Sequence, residues 1–553
     1  MASKNKKTNI QSPENYDRFI DDKERRSKGQ FYTPKLFADY AHKMISEVLG
    51  NNWKDEYVVW DNCCGTKNLT RDYKFKELYC STLEKAELDI SAQFNPEAES
   101  FVFDFLNEPI AGRESLTGVY DDKLPKGLKD ALLENKPIVF LLNPPYSCNG
   151  NMFGEGKGNN QTSVYSIMTK NKINGRNELH NQFLYRIILL KQHFNLTNCH
   201  IALFCKPSFL TKPSYNKFRE EFLKNFKYDI GILFNAGNFA QVSAKWGISF
   251  NIWSSGEQQD KNDFIHTLVK VDDGEIKKAG EKILYNLDNK KGLMEWVYNG
   301  KQEKRTILFP SFKSRPIDLF EGKTGKITSD TISVIYDSMN GVGSSNVFYV
   351  GNGGGRFPIT KSNFEKAVQA FFIKTARPSG WEYDKDELSS PSMQNNIFTN
   401  DCIVYTLFGC ANISLRNVNY HNKLWDIKNE FFWMSKSEIE SLALKYDNDY
   451  CYKDAHSSSE RFVYEKLQTI TLSPEANAVL DKANDIVRKT FKYRKQFDKE
   501  HPEYQIMNFD CGWYQIKKLC KEYMPELLKE FKEVYKVLAD KMRPMVYTLG
   551  FLK

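Results

Sequence analysis

The sequence predicts an α/β chain: a mixed seven-stranded sheet in its first half, then a mixed α/β region, then C-terminal helices. Three observations predict it. Between Tyr57 and Trp253, seven short apolar runs are interspersed with amphipathic stretches of helical period, the pattern of helices laid over a sheet. After residue 304 the pattern changes to short strands separated by glycine loops. After Leu472 a helical period takes over.

Bulk properties narrow the class. At 553 residues the chain has room for roughly three or four domains. Aromatics make up 14%, enough apolar surface to favour folding over disorder. A net charge of +8 permits a polyanionic partner without demanding one. The eleven cysteines form no C-x2-C pair, and the adjacent Cys63-Cys64 is a poor clamp, so no metal site is expected. No secretory segment follows Met1, and no window of about 18 uncharged apolar residues occurs. Reduced thiols in a cytoplasmic protein, with no membrane partner, are the expectation.

The elements follow in order. Residues 1–28 read as a polar arm. Gln30-Phe31-Tyr32-Thr33-Pro34 then leads into an amphipathic helix, with Thr33 as its hydroxyl cap and Pro34 in its first turn. Tyr57–Asp61 is a strand running into Asn62–Thr70 and a helix, the ligand end of a parallel sheet, where Gly65 lets backbone approach a ligand. Glu77–Leu83 is the second strand, with Glu84 behind it, and Phe101–Phe103 the third, ending at Asp104-Phe105. Pro137–Leu142 is a buried strand stopped by Asn143-Pro144-Pro145-Tyr146. The prolines fix their own φ and lack N–H groups, so the Pro144 carbonyl is held and left available. The Asn143 oxygen and that carbonyl can both accept from an amino group, with Tyr146 to stack on its ring. Ser147–Arg176 reads as a long loop, Leu179 starts a helix, Cys199–Cys205 is a strand, and Pro213–Asn225 a helix. Tyr228–Phe234 and Gly247–Trp253 read as a closing hairpin, with Phe239 between them.

Asn-Pro-Pro-Tyr after an apolar strand, with Gln-Phe-Tyr-Thr-Pro ahead of it and acids closing three earlier strands, resembles the amino-group DNA methyltransferases that use S-adenosylmethionine. The resemblance is to the N6-adenine enzymes with gamma-like motif order, of the type II/IIG kind found in restriction–modification systems. It covers residues 29–256 and implies a Rossmann-like methyltransferase domain there. Asn143, Pro144, Pro145, Tyr146 and Phe239 are then implied to grip an extruded adenine, Phe239 as the second aromatic wall. Gln30, Phe31, Tyr32, Thr33 and Pro34 are implied to pack on the methionine end of the cofactor, and Asp61, Cys63, Gly65, Thr66, Asn68 and Leu69 to form its loop. Glu84, with Thr82 and Leu83, is implied at the ribose, Asp104 at the adenine amino group and Phe105 against its ring, with Asn143 at the boundary of both sites. The chain departs from the family pattern at Lys67, where a second glycine is expected. A slightly wider loop is anticipated, with Lys67 either pairing with the cofactor carboxylate or pointing to solvent.

Residues 257–304 read as a charged linker with one or two strands. Residues 305–445, with strands at Asn346–Val350 and Cys402–Phe408 around the glycine loop ending at Arg356, read as a target-recognition domain; residues 446–553 read as a helical DNA-recognition or packing region. Double-stranded DNA is the implied partner, with a separate restriction endonuclease as a further candidate. One rival is a fused restriction–modification enzyme. Glu155-Gly-Lys157, Glu275-Ile-Lys277 and Glu321-Gly-Lys323 match a nuclease E-x-K, at the frequency chance allows, and the stretch ahead of Gly29 is too short for a nuclease domain. Other rivals methylate RNA or protein glutamine through the same motif, or bind DNA without turnover.

Overall fold

The computed structural model describes residues 32–109, 123–146, 161–239, 244–288, 290–297, 362–410, 412, 418–420, 423–425, 429–447, 460–504, 506–507 and 511–553. They fall into two compact units, one drawn from Met1–Asn289 and Pro378–Glu387, the other from Lys290–Arg377 and Leu388–Lys553.

The first unit is a nine-stranded sheet. Its strands are β1 (Val58–Asp61), β2 (Leu78–Thr82), β3 (Glu99–Val102), β4 (Ile138–Leu142), β5 (Cys199–Cys205), β6 (Phe226–Asn235), β7 (Gly247–Ser255), β8 (Asp263–Asp272) and β9 (Glu275–Tyr285), in the order β3-β2-β1-β4-β5-β7-β6-β8-β9. The first five are parallel, and β7 runs antiparallel between β5 and β6. Strand order reverses between β1 and β4, the point at which ligands bind in open α/β sheets. Helices α1 (Lys35–Leu49), α2 (Lys85–Ile90), α3 (Lys126–Leu133), α4 (Ser163–Lys170), α5 (Leu179–Phe194) and α6 (Asn216–Asn225) complete the unit. In β4, Ile138, Phe140 and Leu142 join one core while Val139 and Leu141 join another. Both faces are therefore covered, which explains a strand that reads as unbroken apolar sequence.

Two strands beyond the expected seven come from the segment read as a linker. β8 buries Phe264 and His266 but exposes Ile265, so only alternate positions are apolar and packed. β9 is a lysine-rich edge, and its charge masks it. The turn between them has positive φ at both Asp273 (50°) and Gly274 (77°), and this Asp-Gly pair was the available signal. Lys277 reaches back to Asp272 across that turn (2.7 Å), so the Glu275-Ile-Lys277 match is a hairpin ion pair. The other two E-x-K matches lie outside the described residues.

Three further expectations change. Thr33 does not cap α1: Pro34 holds the cap position without a side-chain bond, and the Thr33 hydroxyl is used elsewhere. Within the expected Ser147–Arg176 loop, residues 147–160 lie outside the described residues, and α4 follows, capped by Thr162 accepting from the Tyr165 N–H (3.0 Å). Cys402–Phe408 belongs to a helix, Asn396–Gly409, capped by Asn395; its apolar run is buried on nearly every side, which periodicity cannot distinguish from a strand. Asn346–Val350 and Gly351–Arg356 lie outside the described residues.

The second unit packs that helix with Phe364–Ala376, Pro474–Thr490, Trp513–Tyr523 and Pro525–Met542 around one apolar core. Pro474 starts its helix behind a Ser473 cap, as expected. A two-stranded hairpin pairs Val418–Tyr420 with Lys423–Trp425. No described helix is long and apolar enough to cross a membrane.

Four histidines of the first unit are buried, and burial pushes His42 down to about 3 and His180, His200 and His266 down to about 4. A folded-state pKa below the unfolded value of about 6.5 gives stability that is complete above pH 6.5 and lost as pH falls toward 4. The midpoint of thermal unfolding is therefore expected to drop across pH 6.5–4, by on the order of 1–3 kcal/mol of stability for each histidine. Replacing His266 by a neutral residue should shallow the slope; an unchanged profile would contradict this assignment.

Candidate functional site

A cavity of about 270 Å³ lies over the ends of β1, β2 and β4. Its floor is β1: Asp61 closes the strand and Asn62 to Leu69 form the turn behind it. Asp61 is 1% exposed, and neither carboxylate oxygen has a hydrogen-bond partner of good geometry among the described residues. Burial pushes its pKa well up; the Cys80 thiol adds to the rise, against the Cys63 amide and Lys67. Both polar atoms of the Asn62 side chain are likewise without partners there. An unsatisfied carboxyl and amide facing a cavity suit a ligand that brings a cation and a hydrogen-bonding group.

The turn is tight. Gly65 has φ 51°, and a Cβ there would lie 3.2 Å from the Tyr32 ring and 3.8 Å from Glu87 Oε1, so glycine is needed for space as well as conformation. Lys67 adopts φ 60°, the left-handed conformation a glycine would take at no cost, so the loop is not widened. Its side chain goes neither to the cavity nor to solvent: Lys67 is 2% exposed and its Nζ donates to the Phe94 carbonyl (3.0 Å). Lys67→Gly is accordingly expected to leave cofactor affinity within about twofold, and to exchange about 1 kcal/mol of relieved strain for a lost hydrogen bond of similar size. Calorimetric titration and thermal unfolding measure the two halves of that statement.

At the end of β2 the acid that reaches the cavity is Glu87, not Glu84. Glu84 holds the position ahead of α2 and does not line the cavity, whereas Glu87, 3% exposed, accepts from Thr82 Oγ1 (2.5 Å) and Tyr32 Oη (3.3 Å). Asp104 and Phe105 both line the cavity. Asp104 also caps the next turn, Oδ1 accepting from the N–H groups of Leu106 (3.0 Å) and Asn107 (3.2 Å), and Oδ2 from Asn107 Nδ2 (2.7 Å). Phe105 stacks on Phe183 at 5.3 Å. Cys63 lines the cavity too, and burial pushes its thiol well up, so it stays protonated at neutral pH.

The Asn-Pro-Pro-Tyr turn closes the cavity through Asn143 and Pro145, with Pro144 and Tyr146 buried beside them. Asn143 is oriented from both ends: Nδ2 donates to Thr33 Oγ1 (2.9 Å) and Oδ1 accepts from the Tyr146 hydroxyl (2.7 Å). Tyr146 is 5% exposed and meets Trp246 edge-on, ring centres 5.8 Å apart at 74°. Phe239, expected as the second aromatic wall, is fully buried against Phe37, Phe204 and Phe234. The ring that meets Tyr146 is that of Trp246.

Among the other expected residues, Tyr32, Thr33, Asn68, Leu69, Thr82 and Leu83 line the cavity. Thr66 and Pro34 do not; Thr66 instead donates to Asn68 Oδ1 (3.1 Å) and so braces a residue that does. Gln30 and Phe31 lie outside the described residues. Glu87, which reads in the sequence as a helix-surface charge, joins the wall, as do Asn62, Asn107, Thr162, Leu179 and Phe183, which the sequence does not single out as site residues. The last two open α5, whose amphipathic pattern reads only as core.

No protein-family model matches the chain, and no curated protein matches its sequence. Solved structures do match. One is a type I restriction-modification system methyltransferase subunit from Streptococcus thermophilus, 15% identical over 45% of this chain and 50% of that one, with a TM-score of 0.29. The type I restriction enzyme EcoKI M protein is 12% identical over 43% of this chain and 48% of that one, TM-score 0.27. A DrdV–DNA complex is 14% identical over 48% and 32%, TM-score 0.32. The aligned part spans half or less of each of these proteins, and similarity at this level decides nothing about activity.

Proposed function

We propose that this chain is a site-specific DNA methyltransferase that moves a methyl group from S-adenosylmethionine to the N6 amine of an extruded adenine. The observation that carries the reading is the continuous cavity, which joins the Asn143 turn to the ends of the first three strands and holds the buried Asp61 carboxyl at its floor.

The donor set fits that cofactor. Asp61 and Asn62 would take the charged amino-acid end, Glu87 the ribose hydroxyls, and Phe105 with Leu83 the adenine ring. When bound, the cofactor supplies an electrophilic methyl on a sulfonium whose leaving group is already good. What remains for the chain is placement of the nucleophile. The exocyclic amine is a weak nucleophile because its lone pair is delocalised into the ring. Asn143 Oδ1 and the Pro144 carbonyl accept its two hydrogens and favour a more pyramidal nitrogen. The Tyr146 hydroxyl, which now holds Asn143 Oδ1, yields that oxygen when the base arrives. A neutral amide suffices because no proton has to leave before attack; the cationic methylated nitrogen sheds its proton to solvent afterwards, as the thioether departs. Tyr146 and Trp246 supply the stacking that offsets the few kcal/mol needed to extrude the base.

Incubation with methyl-labelled cofactor and unmodified DNA, RNA or protein extract tests the reading. Label is expected in DNA. Label confined to RNA or protein would transfer the same site to another substrate, and DNA cleavage with Mg²⁺ would favour a fused nuclease.

A further inference from the structure

One basic side chain contacts both halves of the proposed base pocket. Lys206 follows directly on β5, and its Nζ donates to the backbone carbonyl of Tyr146 (2.7 Å), the last residue of the Asn-Pro-Pro-Tyr turn. The same ammonium lies over the face of Trp246, 5.6 Å from the ring centre. It therefore touches the backbone that carries one ring and the π-face of the other.

The ammonium is itself held from behind. Glu178 Oε2 lies 3.8 Å from Lys206 Nζ, and the other oxygen, Oε1, accepts from the Tyr215 hydroxyl (3.1 Å). Glu178 is 7% exposed and its Oε2 has no hydrogen-bond partner among the described residues, so the ion pair with Lys206 helps compensate that oxygen. His180, at 3.9 Å, is pushed down to about 4 by burial and is neutral at neutral pH, which leaves Lys206, with Lys212 acting alongside it, as the standing positive charge at Glu178. A buried carboxylate paired with a lysine is costly to break and holds its partner in place.

Resting on the methyltransferase reading, we infer that Lys206 is a positioning residue: it fixes the Tyr146 carbonyl and the Trp246 face together, and so sets how the two rings meet the extruded base. Lys206 is not among the residues that line the cofactor cavity, so its effect is expected on the base side. An ångström of misplacement there is enough to cost about 100-fold in rate.

The test uses the full chain and compares wild type with Lys206→Met and Lys206→Arg. Methyl transfer to unmodified DNA gives kcat and KM, and calorimetry gives cofactor affinity. Lys206→Met is expected to lower kcat by about 10- to 100-fold, with cofactor affinity within about twofold, and Lys206→Arg to recover most of the rate, because a guanidinium keeps the donor, the charge and the ring contact. Trp246→Ala in the Met background should add less than it does in wild type, since both changes loosen the same pair of rings. Wild-type kcat in Lys206→Met would overturn the inference while leaving the methyltransferase reading intact. So would a matching loss of cofactor affinity and thermal stability, which would mark a merely structural lysine, or an arginine variant as slow as the methionine one. A wild-type chain that binds cofactor but labels no acceptor would instead overturn the reading on which the inference rests.

Discussion

Asn143→Ala is expected to lower methyl transfer by about 10³-fold or more while cofactor binding persists. That loss follows from what the side chain does. On the proposed function its oxygen is a preorganised acceptor for the amine whose charge changes in the transition state, and removing one such group costs about 10²–10³ in rate. Asn143 also holds its own geometry through Thr33 and Tyr146, so alanine removes the acceptor and releases the turn together. A side effect needs control: the buried Tyr146 hydroxyl loses its acceptor, at about 1–3 kcal/mol of stability. Thermal unfolding of the variant separates that cost from the catalytic one. Wild-type activity in a folded Asn143→Ala chain would remove Asn143 from its role.

The second large effect belongs to Asp61. Asp61→Asn is expected to weaken cofactor binding by on the order of 10²-fold, the loss of one buried charge-assisted contact to an ammonium. It should also remove a pH dependence. Burial raises the Asp61 pKa in the free chain, whereas a bound cation favours the ionised form. Wild-type affinity should therefore rise as pH climbs through the raised pKa and fall as pH drops below it, with a proton released on binding. Titrations in two buffers of different ionisation enthalpy count that proton. Asp61→Asn should release none, and a wild-type affinity that ignores pH would show the carboxyl to be structural.

Much of the first unit was legible because its strands are buried on both faces and so read as unbroken apolar runs between turn residues; β1, β2, β4 and β5 fall where those runs place them. The turn at Asn143 was legible for a similar reason, since two consecutive prolines leave few backbone alternatives. What escaped depends on direction. Glu87 looks like a helix-surface charge, but it sits in the first turn of α2, where side chains lean toward the helix N-terminus and so back onto the strand end. Phe239 and Trp246 stand close in sequence, and only tertiary packing decides which ring turns into the core and which faces Tyr146. Asp104 illustrates a double use that sequence cannot separate, capping its own turn while lining the cavity. Lys67 is the clearest departure, because a buried bond to Phe94 sustains a left-handed lysine that local propensity disfavours.

The most direct measurement is the chemical identity of the product. Unmodified DNA is incubated with the chain and methyl-labelled cofactor, digested to nucleosides and separated by mass. Label is expected in N6-methyl-2′-deoxyadenosine, and none when Asn143 is alanine. Label in N4-methyl-2′-deoxycytidine would contradict the adenine assignment, and unlabelled DNA from a chain that demonstrably binds cofactor would contradict the account as a whole.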